Sequence, residues 1–317
     1  MEKEGRIYIC ICILFVSLQQ YFNDNLQMKK ALFILGIATI TLLFGCKAGQ
    51  AKGGEATDST DTEITNDTLV TEALFFESDE KQFAVDIYID MPQGESELAK
   101  AITKFAYADI DTMTGERMSG NPDKVFVSQR NKAGKGQDMV NFFGKYNIEE
   151  LKRCRVDMED DDDRMYGYSY RLTKAKETHQ FVIYTRSTYV NLGGAHGYSG
   201  EINFIFVKPT GKLIKEVFEK SKEEEMQSLL RKGIVDYIRE SGWDVEEDNL
   251  MSVLMLGDSP IIPLPLNSPL IEGDSLRLSY QPYEIAPYAM GMPSFSVSIK
   301  DAEPFLTEDA KKILITK

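Results

Sequence analysis

Only two histidines occur in the chain, His179 and His196, and the second lies in Gly193-Gly194-Ala195-His196-Gly197. An imidazole can ligate a metal, act as a base or hold backbone. A metal site needs further ligands at short spacing, and none flank His196. A hydrolytic triad needs a nucleophile in a strained turn, and no such motif is present. The expectation is therefore a structural imidazole bonded to backbone or to Glu284. Glu284 sits among apolar and aromatic residues, so burial would oblige it to find a partner. Gly193, Gly194 and Gly197 permit positive φ and close backbone approach where a long strand ends. No catalytic group, metal site or cofactor is assigned.

The stretch that contains Glu284 is the second concentration of unusual chemistry. Tyr280-Gln281-Pro282-Tyr283-Glu284-Ile285-Ala286-Pro287-Tyr288-Ala289-Met290-Gly291-Met292-Pro293 carries three tyrosines, three prolines and a glycine. Tyrosines on a stiff loop offer large contact area at low entropic cost. Tyr283, Pro287, Tyr288, Met290 and Gly291 are the expected binding residues, with Tyr288 and Met290 exposed between the rigid prolines. In the competing reading these residues cap the core and Tyr288 bonds inward.

Other candidates are weaker. Glu159-Asp160-Asp161-Asp162-Asp163 lacks the spacing and distal glutamate of a calcium loop and reads as a solvated turn. Cys154 ends an apolar helix with no histidine nearby, which suggests a buried, inert thiol. Cys46 is different. Met28-Lys29-Lys30, the apolar run Ala31 to Phe44, and Leu43-Phe44-Gly45-Cys46 together read as an export signal ending in a lipidation motif. The run is too short to span a membrane comfortably. The expectation is an exported bacterial lipoprotein of the cell envelope, facing the periplasm. Its parts are a signal peptide at 28–45, a lipidated Cys46, and a Gly/Ser/Thr/Asp-rich tether up to 68. Residues 1–27 read as an upstream extension of the true start, or alternatively as a short cytoplasmic or membrane-dipping segment.

The elements that position these groups follow from periodicity. Val85, Ile87, Ile89 and Met91 alternate with polar residues as a half-buried strand does. Glu95–Tyr107 and Gln137–Arg153 carry apolar residues at helical spacing. Tyr166–Leu172, Phe181–Leu192 and Asn203–Val207 read as strands, with a turn at Pro209–Lys212. Ser221–Ser241 reads as a helix with a capping box at Ser221 and Glu224 and a stop at Gly242. Strands around Leu276–Tyr280 and Phe295–Ile299, then a helix at Glu308–Leu314, complete the chain. Clean alternation implies one wet sheet face, hence an α+β fold, mostly antiparallel sheet with helices packed on one face.

A net charge of −14 argues against nucleic acid and against electrostatic adhesion to anionic lipid, leaving the acyl chains as the only membrane attachment. The 43% hydrophobic content suits a folded core. Only Cys154 remains in the region after Cys46, so no internal disulfide is expected there.

The Gly-Gly-Ala-His-Gly stretch, the Tyr-Gln-Pro-Tyr-Glu-Ile-Ala-Pro-Tyr-Ala-Met-Gly stretch and the passage from Phe204 to Phe218 between them resemble a known family. It is the extracytoplasmic region shared by the anti-sigma-V factor RsiV and the peptidoglycan deacetylase PdaC. The resemblance implies an amino-terminal accessory α+β domain over 69–196 and an RsiV-like domain over 197–317. The deacetylase's metal-binding motifs are absent from this sequence. In RsiV-like sensors the domain recognises lysozyme, so the resemblance implies a non-enzymatic binding module for lysozyme-like muramidases or peptidoglycan. An envelope glycan hydrolase using paired carboxylates is the alternative. A structural subunit of an outer-membrane assembly is a third.

Overall fold

A computed structural model describes residues 68–115, 127–156 and 164–315, apart from 79, 81 and 258. Cys46, the export signal, the tether up to 67 and the Glu159–Asp163 run lie outside the described residues.

Six strands form one sheet in chain order: β1 (Thr71–Glu77), β2 (Phe83–Pro92), β3 (Tyr166–Glu177), β4 (Phe181–Leu192), β5 (Tyr198–Val207) and β6 (Lys212–Ile214). Every neighbouring pair is antiparallel except β2–β3. A parallel pair needs a long crossover, here supplied by α1 (Glu97–Met113) and α2 (Gln137–Val156). The β4–β5 turn holds the boundary expected between residues 196 and 197, so sequence on both sides of it contributes strands to this sheet. After β6 come α3 (Gln227–Glu240), α4 (Leu250–Val253), β7 (Leu270–Glu272), β8 (Ser275–Ser279), β9 (Ser294–Ser298), α5 (Ile299–Ala302) and α6 (Glu308–Leu314). β7, β8 and β9 form a second, antiparallel sheet.

Alternation along β4 and β5 divides the interior. Val182, Tyr184 and Phe206 join the core that buries Ile102 and Ile110 of α1 and Met139 and Phe143 of α2. Phe181, Ile183 and Ile205 point the other way, into a core with Leu230, Ile234 and Ile238 of α3, Leu276 and Leu278 of β8, and Val297 of β9. The fold is α+β, and at its β4–β6 end the large sheet is covered on both faces. Each buried aliphatic side chain contributes about 1.5–3 kcal/mol relative to exposure.

Local chemistry explains the element ends. Ser96 caps α1, its hydroxyl accepting from the Ala99 N–H at 3.1 Å, and Thr307 does the same for α6. The helix expected from Ser221 starts instead at Gln227, after a 3₁₀ turn at Lys220–Lys222. No side chain caps its first turn; there Glu223 accepts from the Leu264 N–H (2.8 Å) and Gln227 bonds the N–H and carbonyl of Ile262, so both side chains hold a neighbouring loop.

Side-chain amides occupy both open edges of the large sheet. On β1, Gln137 accepts from the Phe75 N–H (3.4 Å) and donates to its carbonyl (2.7 Å). On β5, beyond the reach of β6, Gln281 accepts from the Glu201 N–H (2.9 Å) and donates to its carbonyl (2.6 Å). Asn267 extends this cover by accepting from the Asn203 N–H at 2.7 Å. An exposed strand edge invites another chain, and these amides satisfy it instead.

Candidate functional site

The β4–β5 turn and the tyrosine–proline loop meet along that edge of β5. A side chain at Gly197 would meet the ring of Tyr189 across the hairpin and force that ring to move. Gly193 has φ 78° and is buried beside Tyr166, while Gly194 is exposed.

The loop leaves β8 through a closed neck. The Tyr280 N–H donates to the Pro293 carbonyl (2.9 Å), and its hydroxyl donates to the Pro263 carbonyl (2.8 Å). Burial pushes the Tyr280 phenol well above its ordinary pKa. Glu284 then ties two segments together, its carboxylate accepting from the Leu266 and Gln281 N–H groups, both at 2.7 Å. Burial pushes the Glu284 pKa up to about 7, against the downward pull of those two backbone donors. Between Gln281 and Glu284, Tyr283 takes φ 65°, the one non-glycine with positive φ among the described residues. Such a conformation costs on the order of 1–3 kcal/mol and persists only where flanking bonds impose it. Pro287 (φ −64°) precedes a 3₁₀ turn at Tyr288–Met290, which Gly291 (φ 72°) ends.

The result is an aromatic shelf. The His196 and Tyr288 rings stack at 4.2 Å with 18° between planes, and Tyr283 and Tyr288 at 5.7 Å and 29°. The Tyr288 hydroxyl lies 3.4 Å from the Gly197 carbonyl, yet the side chain remains 39% exposed. Tyr189, equally exposed, abuts Gly197 from β4. Stacked rings with polar tips present an apolar plane and hydrogen-bonding groups together, as contact surfaces do.

His196 bonds backbone rather than Glu284, its Nδ1 pairing with the Gly197 carbonyl at 2.9 Å, and its ring is exposed. One expectation needs correction. Met290 was expected to be exposed, but it is 7% exposed and belongs to the core, its carbonyl accepting from the Tyr237 hydroxyl at 2.9 Å. The turn that places Tyr288 outward necessarily turns Met290 in. Glu284 did find partners, both of them backbone. Cys154 is half-buried. Among the described residues no group of three His, Cys, Asp or Glu could hold a metal, and no helix is long and apolar enough to cross a membrane.

Residues 211–300 match the family model described as "Protein of unknown function (DUF3298)". Over that stretch the chain is similar to the DUF3298 family. Two solved structures share the fold. A DUF3298 family protein from Pseudomonas aeruginosa PAO1 is 15% identical with a TM-score of 0.50, the alignment covering 77% of this chain and 97% of that one. A DUF3298 family member from Bacteroides fragilis NCTC 9343 is 15% identical with a TM-score of 0.52, covering 78% and 98%. No curated protein matches. The DUF3298 match spans β6 through β9 and contains the whole tyrosine–proline loop, but it stops short of Gly193–Gly197. His196 and Tyr189 are therefore brought to the DUF3298 loop from strands outside the matched region.

Tyr189, Gln281 and Asn267 were not among the expected site residues. Gln281 lay inside the quoted motif, and a polar residue amid tyrosines and prolines is a usable signal. Tyr189 had none, because only the hairpin register brings it to Gly197.

Proposed function

We propose that this protein is a non-enzymatic binding module of the bacterial cell envelope, carried on a lipid at Cys46 and homologous to the extracytoplasmic region of RsiV and PdaC. The observation that carries this reading is the shelf of half-buried Tyr283 with exposed Tyr288 and His196, the two tyrosines standing on a loop whose backbone is fixed by Gln281 and Glu284. A loop already held in place loses little entropy on binding. The ligand is a lysozyme-like muramidase or peptidoglycan. The test is binding of the purified protein to surface-immobilised lysozyme and to purified peptidoglycan, wild type beside Tyr288→Ala. Selective loss in the variant supports the reading, and absence of wild-type binding to both at micromolar concentration sinks it. For the anchor, Cys46→Ser should abolish metabolic palmitate labelling and release the protein from membranes.

One observation favours the hydrolase alternative. A carboxyl whose pKa lies near 7 suits a general acid, and Glu284 has one. Against it, both Glu284 oxygens already accept backbone N–H groups. Muramidase activity lost in Glu284→Gln with the fold intact would favour the enzyme.

A further inference from the structure

The acidic chain, with net charge −14, carries a concave basic site. A cleft of about 480 Å³ lies between α1 and the loop before α2, and four cations line it: Lys100 and Lys104 from the helix, Arg130 and Lys135 from the loop. Glu95 is the one acidic residue in the lining, and Asn131 adds a neutral hydrogen-bonding side chain. Lys100 and Lys104 share a helix face by their four-residue spacing. Lys100 sits 3.7 Å from Glu95 and 3.5 Å from Glu97 with all three side chains exposed, contacts of little energetic weight. Lys104, Arg130 and Lys135 make no ion pair among the described residues.

The loop is built to stay where it is. At one end Asp111 accepts from the Ser128 hydroxyl (2.7 Å) and the Gln129 N–H (2.8 Å). At the other the Tyr107 hydroxyl accepts from the Gly136 N–H (2.6 Å), and between them Ala133 is buried in the core. Helix and loop thus hold their cations across a fixed gap. Like charges gathered this way on an exposed surface repel one another unless an anion lies between them.

We propose that this cleft binds a phosphorylated ligand carrying at least two phosphate charges. Four cations against the two carboxylates beside Lys100 leave two positive charges, more than a single carboxylate ligand would neutralise. A guanidinium fork beside ammonium point charges suits phosphate oxygens. The volume is that of a small-molecule site. The same chemistry could come from a soluble phosphate ester or from a lipid headgroup, and the site is independent of the aromatic shelf.

The test is calorimetric titration of the full chain with inorganic pyrophosphate, and separately with dihexanoyl phosphatidic acid below its micelle concentration. Pyrophosphate is expected to bind at low salt and to weaken at about 300 mM salt. Lys104→Ala and Arg130→Ala should each weaken binding about tenfold with unchanged circular dichroism, whereas Lys232→Ala, outside the cleft, leaves it unchanged. Binding of both probes identifies a headgroup as a source, and pyrophosphate alone a soluble ester; either supports the site. No binding of either probe at millimolar concentration overturns it. So does binding that Lys232→Ala weakens as much as the cleft variants, since that is diffuse attraction.

Discussion

Replacing Glu284 by glutamine should flatten the dependence of stability on pH. The Glu284 carboxyl titrates at about 7 in the folded protein against 4.5 ordinarily, chiefly because burial disfavours its charge. Between these values the native state holds a proton that the unfolded chain has released, so stability falls as pH rises. The stabilisation is fully present below about pH 4.5 and lost once pH passes 7. A shift of this size corresponds to roughly 3 kcal/mol. In Glu284→Gln the new side chain would carry no charge penalty. Its amide, however, would turn an N–H toward the Leu266 or Gln281 N–H and leave that backbone donor unpaired, costing about 1–3 kcal/mol. At pH 4 the variant should therefore be less stable than wild type by about 1–3 kcal/mol. At pH 8, where wild type has lost roughly 3 kcal/mol, the gap closes or reverses. Urea unfolding of both proteins at the two pH values measures the difference directly, and subtraction removes other titrating groups. Asp109, whose burial raises its pKa, and Glu177, whose pKa is lowered, both belong to that background. Parallel pH profiles for the two proteins would refute the assignment.

Tyr288→Ala should cost roughly 2 kcal/mol or more of binding to the envelope ligand while leaving the melting temperature nearly unchanged, because the ring is partly exposed. His196→Ala should change stability by about 0.5 kcal/mol or less, as expected for an exposed side chain, measured by thermal unfolding. Asp109→Ala should destabilise by about 3–5 kcal/mol in urea, since it strands Arg186, whose guanidinium lies 2.5 Å from the Asp109 carboxylate, and removes the partner of the Tyr170 hydroxyl. Gly197→Ala should displace the Tyr189 ring, lowering the melting temperature and weakening binding together.

What sequence could tell depended on how local the cause was. The period-two pattern of β2 and the limits of α6, Glu308–Leu314, were readable because alternation and a threonine cap lie within a few residues. α1 runs on to Met113, beyond the expected end at Tyr107, because Asp109 and Asp111 look like helix-ending polar residues but are buried against Arg186 and Gln129. β1 was missed since adjacent Phe75 and Phe76 break the alternation, and β7 is only three residues long. The parallel β2–β3 pairing has no local signature at all. At the candidate site, composition singled out the tyrosine–proline loop, but which of its side chains face outward was set by one 3₁₀ turn. The basic cleft escaped notice because its lysines and arginine come from a helix and a loop separated in sequence.

The glutamines at the two ends of the large sheet bear on how its edges meet other chains. Gln137 and Gln281 each imitate one peptide unit of a missing neighbour, and each does so at a single residue. The two edges they cover belong to different strands, β1 and β5, with unlike sequences. Were both bared, the first strand of one copy could pair with the fifth of the next, a heterologous contact that need not close on itself and so can propagate.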